Sequence, residues 1–207
     1  MGKDYSNNLA LRPYLVIIDP GHGGNDPGAV NEQVGLREAD VNLNLALLIS
    51  DLIRLGDYSY RVSLTRHDDF FVSLENRCSL ANNAHAAAFV SIHCNAAQDK
   101  NVRGHEVWTS PGQTKADILA TELFTGLGAF MPARTFDPHS KARPDYDDGD
   151  PDKETNFYVL RHTVMPAALV EVEFISNDGM AEFLKDQNNL RRIAFGMVDA
   201  IEFYLEN

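Results

Sequence analysis

The sequence predicts a single α/β domain, a twisted and mostly parallel six-stranded sheet flanked by helices. Three observations lead there. Apolar runs of strand length alternate with longer stretches in which apolar residues recur every three or four positions. Capping residues open several of those stretches, and Gly56 closes the first. No internal repeat divides the 207 residues, a length that buries a core in one domain spanning 1–207.

Element by element, Tyr14–Asp19 reads as the first strand. Glu38–Leu55 follows as a helix, with Val41, Leu45, Leu48, Leu52 and Leu55 on one stripe. Tyr60–Thr65 reads as the second strand, and Ser73 caps a helix reaching about Ala84. Ala87–Ile92 is the third strand and Gly104–Thr109 the fourth. Thr114, with Asp117 three residues on, opens a further helix to about Phe130 in a capping-box arrangement. Asn156–Leu160 and Ala167–Glu173 read as the last two strands. The final helix, roughly Asn188–Leu205, buries Leu190, Ile193, Met197, Ile201 and Tyr204.

Two stretches fall outside this rhythm. Residues 1–12 form a short polar extension. Met131–Glu154 carries four prolines and an acidic run from Asp145 to Glu154, the mark of a functional flap or an irregular loop. The spacing Asp148, Asp150, Asp152 suits calcium, but Lys153 stands where an EF-hand loop needs glycine. A solvated acidic loop is the expectation.

Composition excludes several classes. Net charge is −12, so nucleic acid phosphates would be repelled over most of the surface. No apolar run approaches the roughly 20 residues of a membrane helix, so no membrane partner is expected. The first ten residues lack the basic and apolar zones of a signal peptide. Cys78 and Cys94 give neither a disulfide framework nor a metal knuckle, and both read as buried thiols. Cys94 follows His93 on a strand and should face the other way.

Chemistry concentrates at strand ends. His22 lies in the glycine-rich turn Asp19-Pro20-Gly21-His22-Gly23-Gly24, directly after the first strand. His93 ends the third strand, and Glu38 begins the first helix, where the helix dipole favours a carboxylate. Glu171 sits inside the apolar run Leu169–Phe174, a costly place for an acid unless it is bonded, paired or near a metal. Ligands in parallel α/β sheets sit beyond the carboxyl ends of the strands, where these groups emerge. Two imidazoles and a carboxylate form a donor set that catalytic zinc sites use, with a fourth position for water. Taken singly, each residue has an ordinary explanation: His22 as a turn residue, His93 as a core histidine, Glu38 as a helix-start acid with Glu32 as a rival. His67, His85, His105, His139 and His162 show no ligand pairing, and His162 is the one expected nearest the cleft. Arg66 and Asp69 read as a structural ion pair, Asn95 and Ser176 as orienting groups, and Trp108 and the phenylalanines as core.

These segments resemble the zinc-dependent N-acetylmuramoyl-L-alanine amidases known as amidase type 3. The resemblance runs from Asp19–Ala29 through Gly35-Leu36-Arg37-Glu38-Ala39-Asp40-Val41-Asn42-Leu43, then Thr65, Arg66 and Asp69 with Leu74, Arg77, Ala81 and Asn82. It continues in Phe89–Ala97 and closes in Met165-Pro166-Ala167, Leu169-Val170-Glu171 and Phe174-Ile175-Ser176-Asn177. It implies that His22, Glu38 and His93 bind one catalytic Zn2+ and that Glu171 is the catalytic acid–base. It also implies a peptidoglycan substrate, cut between N-acetylmuramic acid and L-alanine. The chain departs from the family pattern at Glu173, where a small residue is usual, so a second acid on the same strand face rivals Glu171. It departs again where the acidic insertion precedes Phe157–Arg161. The alternatives are a carboxypeptidase-like zinc metallopeptidase acting on the stem peptide, and a wall-binding module with a structural metal. A monomer is expected. One setting is a phage endolysin, cytoplasmic until released to the cell wall; the other is a trimmed piece of a periplasmic or extracellular enzyme.

Overall fold

The structure, a computed structural model, describes residues 12–131, 145 and 149–207. Most of the polar extension, much of the acidic loop, and with them Asp148 and His139, lie outside the described residues. The chain runs β1 (Tyr14–Pro20), β2 (Val30–Asn31), β3 (Leu36–Arg37), α1 (Glu38–Leu55), β4 (Tyr60–Leu64), α2 (Leu74–Asn83) and β5 (Ala88–Asn95). It continues through β6 (Glu106–Thr109), α3 (Lys115–Gly128), β7 (Lys153–Glu154), α4 (Tyr158–His162), β8 (Ala167–Phe174), α5 (Asp178–Lys185) and α6 (Gln187–Glu206).

Six strands form one sheet in the order β4-β1-β5-β8-β6-β7, and β2 and β3 make a separate hairpin. β4, β1, β5 and β8 are mutually parallel; β6 runs antiparallel to β8, and β7 parallel to β6. Alternation along the strands sorts side chains between two cores. Val16, Ile18, Val90, Ile92, Val170 and Val172 face the larger one, built with α1, α3 and α6. Ile17, Phe89 and Leu169 face the smaller one, with Cys78, Val159 and Leu160 from α2 and α4. The stripe Leu190, Ile193, Met197 and Ile201 of α6 is buried as its periodicity predicts, at about 1.5–3 kcal/mol for each large side chain. Cys94 joins the larger core, opposite in direction to His93.

One element departs from expectation. Asn156–Leu160 is not a strand; Tyr158–His162 forms the single helical turn α4, and the sixth strand is Lys153–Glu154, within the stretch read as loop. The four-residue apolar run Phe157–Leu160 does not separate strand from helix by period alone. Packing decides: the adjacent residues Val159 and Leu160 are both buried in the smaller core, which an alternating strand could not arrange. The hairpin β2–β3 and the helix α5, capped by Asn177 through Met180, were not foreseen.

Helices α3 and α6 cross at Gly126 and Gly196. A Cβ on Gly196 would lie 2.7 Å from Phe130 Cδ2 and would collide with the Gly126 carbonyl. Helix propensity favours alanine by about 1 kcal/mol, but forcing two backbones apart costs about 1–3 kcal/mol, so the collision decides the sign. Gly196→Ala is expected to lower the unfolding free energy in urea by roughly 1 kcal/mol or more; an unchanged or raised midpoint would contradict this close crossing.

Candidate metal centre

The turn after β1 is built by two buried arginines. Arg66 donates from Nε to the Pro20 carbonyl (2.9 Å) and from a terminal nitrogen to Gly21 and Ala39 (2.8 Å each). Arg77, from α2, donates to the carbonyls of Pro20 and His22 (2.8 Å each) and pairs with Asp19 Oδ1 at 2.6 Å. Asp19 also accepts from Thr65 Oγ1 (2.5 Å) and Ser91 Oγ (2.7 Å), so this buried charge is fully engaged. Three consecutive turn carbonyls are thus claimed by guanidinium groups. They hold His22 in the left-handed region at φ 62°, where a non-glycine residue costs about 1–2 kcal/mol. Arg66 is therefore a backbone clamp. Asp69 instead accepts from Gly24 N–H (2.8 Å) and Arg37 (3.1 Å), which corrects the expected Arg66–Asp69 pair.

His22 points its Nε2 at Glu38 Oε1, 3.0 Å away, and its Nδ1 lies 2.9 Å from Asp26 Oδ2. His93 places Nδ1 3.0 Å from the same Glu38 oxygen. One ligand atom from each of His22, Glu38 and His93 falls within 4.8 Å of the other two, the one such cluster among the described residues. Glu38, the first residue of α1, is fixed by the backbone: Cys94 N–H donates to Oε1 (3.1 Å) and Ala29 N–H to Oε2 (2.8 Å). Space is equally specific. A Cβ on Gly21 would enter the His93 ring, and one on Gly28, at φ 64°, would lie 2.6 Å from Glu38 Oε2 and 2.7 Å from His22 Cδ2.

Electrostatics test whether a cation suits this place. Burial raises the Glu38 carboxyl, yet hydrogen bonds from both imidazoles outweigh it and hold the group well below the usual carboxylate range. Burial lowers His22, but Glu38 and Asp26 together push it up to about 9. The donors therefore attract positive charge into the space between them, and a divalent ion can replace the protons that would otherwise serve. Asp26, four residues beyond His22 and not singled out from sequence, orients the ring as carboxylates do behind metal-bound histidines.

Glu171 stands beside this cluster. Its β8 position is in register with His93 on β5 and Glu106 on β6. Its Oε2 is buried without a hydrogen-bond partner. Burial pushes this carboxyl up to about 7, with the Glu38 and Glu106 charges adding and His93 and His22 opposing. Glu173 is placed otherwise. A bulge between β5 and β8 shifts the register after Glu171, and Glu173 accepts from the backbone N–H groups of Gly104 and Phe174. Glu171 lines a cleft of about 520 Å³ together with His22, His93 and Asp26, facing a wall of Phe71, Leu74 and Phe157–Val159. Those phenylalanines line the cleft and are partly exposed, against the expectation that they are core. His162 stacks on Tyr158 at 3.8 Å and does not line the cleft. Asn95 donates to Glu106 (3.1 Å), and Ser176 Oγ accepts from Ala97 N–H (3.0 Å).

Asp26→Asn is expected to weaken zinc affinity roughly 10- to 100-fold, read by competition with a chromogenic chelator; unchanged affinity would remove Asp26 from the site. A second test uses the metal-free protein. A carboxyl raised from 4.5 to about 7 on folding favours the folded state fully below pH 4.5 and loses that contribution as pH rises towards 7. Glu171→Gln should therefore gain stability relative to the parent between those values, by at most about 1.4 kcal/mol per pH unit. A pH-independent difference would contradict the buried, unpartnered carboxyl.

Comparison with known proteins places the chain in a family. A family model described as N-acetylmuramoyl-L-alanine amidase matches residues 16–203. The sporulation-specific N-acetylmuramoyl-L-alanine amidase of Bacillus subtilis (strain 168) is 32% identical over 190 residues, covering 90% of this chain and 66% of that protein. The N-acetylmuramoyl-L-alanine amidase CwlM of Bacillus licheniformis is 34% identical over 192 residues, again covering 90% and 66%. Some relatives are longer still: the chain spans 53–66% of the length of the first curated relatives it matches. The crystal structure of an N-acetylmuramoyl-L-alanine amidase from Clostridium difficile 630 superposes with a TM-score of 0.81 at 32% identity, covering 95% of this chain and 98% of that one. The chain belongs to the amidase type 3 family of N-acetylmuramoyl-L-alanine amidases.

Proposed function

We propose that this chain is a zinc-dependent peptidoglycan hydrolase that cleaves the amide between the lactyl carbonyl of N-acetylmuramic acid and the amine of L-alanine. Family membership supports the substrate and the bond. The single observation carrying the mechanism is the convergence of His22, Glu38 and His93 beside the buried, partnerless oxygen of Glu171. His22 Nε2, His93 Nδ1 and the Glu38 carboxylate would hold the ion. Zinc bound there supplies Lewis acidity, polarising the scissile carbonyl and bringing a water's pKa to about 7.

The remaining steps belong to the chain's own side chains. Asp26 keeps the His22 proton on Nδ1, leaving Nε2 free as a donor atom. Glu171, with a proton affinity near neutrality, takes a proton from the attacking water and returns it to the departing alanine amine. Its Oε2 has no hydrogen-bond donor of its own, which leaves that oxygen open to the proton of the attacking water. The apolar wall from Phe71, Leu74 and Phe157 gives the cleft a face for the less polar parts of the muramyl–alanine unit.

The test incubates purified protein with cell-wall sacculi and labels the amino termini released. New alanine termini are expected with zinc and a loss of at least about 100-fold after chelation. A different terminal residue would indicate a peptidase acting on the stem peptide. Glu171→Gln should lose roughly 100- to 10,000-fold in turnover while zinc stoichiometry stays unchanged; retained turnover would move the proton-transfer role to another group.

A further inference from the structure

Among the described residues of the acidic segment before α4, Pro151 and Asp152 are buried. Asp152 is 2% exposed, and Asp150 Oδ1 and Asp152 Oδ1 are both buried with no hydrogen-bond partner. Thr109 Oγ1 donates to the second Asp152 oxygen at 2.6 Å, and the Asp150 and Asp152 carboxyls lie within hydrogen-bonding reach of each other. Asp117, in the first turn of α3, is also buried, and its proton affinity is raised by burial and by the charges of Asp150 and Glu154. Lys153 offers no compensation. It turns away to Glu106 Oε1, 3.1 Å off, with its ammonium 5.1 Å from the centre of the Trp108 ring. Lys115 is exposed in a shallow hollow at the start of α3 that Asp117 and Asp150 also line.

Buried carboxylate oxygens without donors are expensive and call for a proton or a cation. From this geometry we infer that Asp150 and Asp152 form a second cation site, selective for a hard, oxygen-seeking divalent ion of the calcium type. The two side chains flank Pro151, and the Pro151 carbonyl is itself tied to Asp145 N–H at 3.2 Å. Carboxylates supplemented by water and carbonyl oxygen satisfy calcium, which tolerates irregular geometry and takes six to eight oxygen ligands. Magnesium demands a stricter octahedron. The EF-hand objection from Lys153 does not apply, because the arrangement rests on a β-strand threonine in place of a calcium-binding loop. Burial beside Asp150 also pushes the Asp152 carboxyl up to about 7, the condition a bound cation would relieve.

Such an ion would hold Asp150 and Asp152 beside Thr109 of β6. The same segment leads directly into Phe157–Val159, which wall the cleft. The site is thus structural and independent of the zinc-dependent reading.

Trp108 is the chain's only tryptophan; it neighbours Thr109 and pairs in register with Lys153. Terbium bound at Asp152 would therefore be sensitised by it. The experiment titrates zinc-loaded protein with terbium, excites the indole, and then competes with calcium. A saturable emission displaced by calcium is expected, weakened roughly tenfold or more in both Asp150→Asn and Asp152→Asn. Calcium should also raise the melting temperature of the parent and not of Asp150→Asn, a substitution at a partly exposed position that keeps the test readable if Asp152→Asn misfolds. No saturable emission, emission surviving both substitutions, or a parent stabilised by acidification and indifferent to calcium would overturn the proposal in favour of a shared proton.

Discussion

One oxygen atom organises the centre of this protein. Glu38 Oε1 lies 3.0 Å from His22 Nε2 and 3.0 Å from His93 Nδ1, and the rest of the site serves to keep three such donors together. They come from the end of β1, the end of β5 and the first residue of α1. No local interaction would gather them. The sheet register brings β1 and β5 side by side, backbone N–H groups of Ala29 and Cys94 grip the carboxylate, and the guanidinium groups of Arg66 and Arg77 anchor the turn that aims His22. Because each of these groups is buried, removing one leaves a charge or carbonyl unsatisfied.

Two neighbouring glutamates acquire opposite chemistry from their surroundings. Glu38 is buried and Glu171 is half-buried with its Oε2 inaccessible, and desolvation alone would raise both. Glu38 receives imidazole and backbone donors and is held ionised, suited to a ligand. Glu171 receives none at Oε2 and is driven up to about 7, suited to exchanging protons. Environments that push a pair of carboxyls apart in this way separate their roles. Glu173, two residues from Glu171, is withdrawn by a bulge and by the Gly104 amide.

Much of this was legible in the sequence, for identifiable reasons. Long periodic helices and short apolar strands state their own geometry, and His22, Glu38, His93 and Glu171 appear where a parallel sheet exposes its strand ends. Arg77 and Asp26 could have been found: a carboxylate four residues beyond a turn histidine can reach its ring, and a helix arginine beside a buried aspartate has a partner to satisfy. What sequence could not supply was direction. The single turn Tyr158–His162 depends on tertiary packing of Val159 and Leu160, the rotation of Glu173 depends on a one-residue bulge, and the burial of Asp152 depends on Thr109 from a distant strand. Short apolar runs and acidic stretches are where local pattern carries least information.

X-ray absorption at the zinc edge addresses the central claim most directly. Zinc-loaded protein is expected to hold one ion per chain at this site, with imidazole scattering from two histidines, light oxygen neighbours at roughly 2.0–2.2 Å, and no sulfur contribution. Sulfur scattering, a single imidazole, or an ion surrounded only by oxygen would contradict the account, because His22, Glu38 and His93 would then not share one metal.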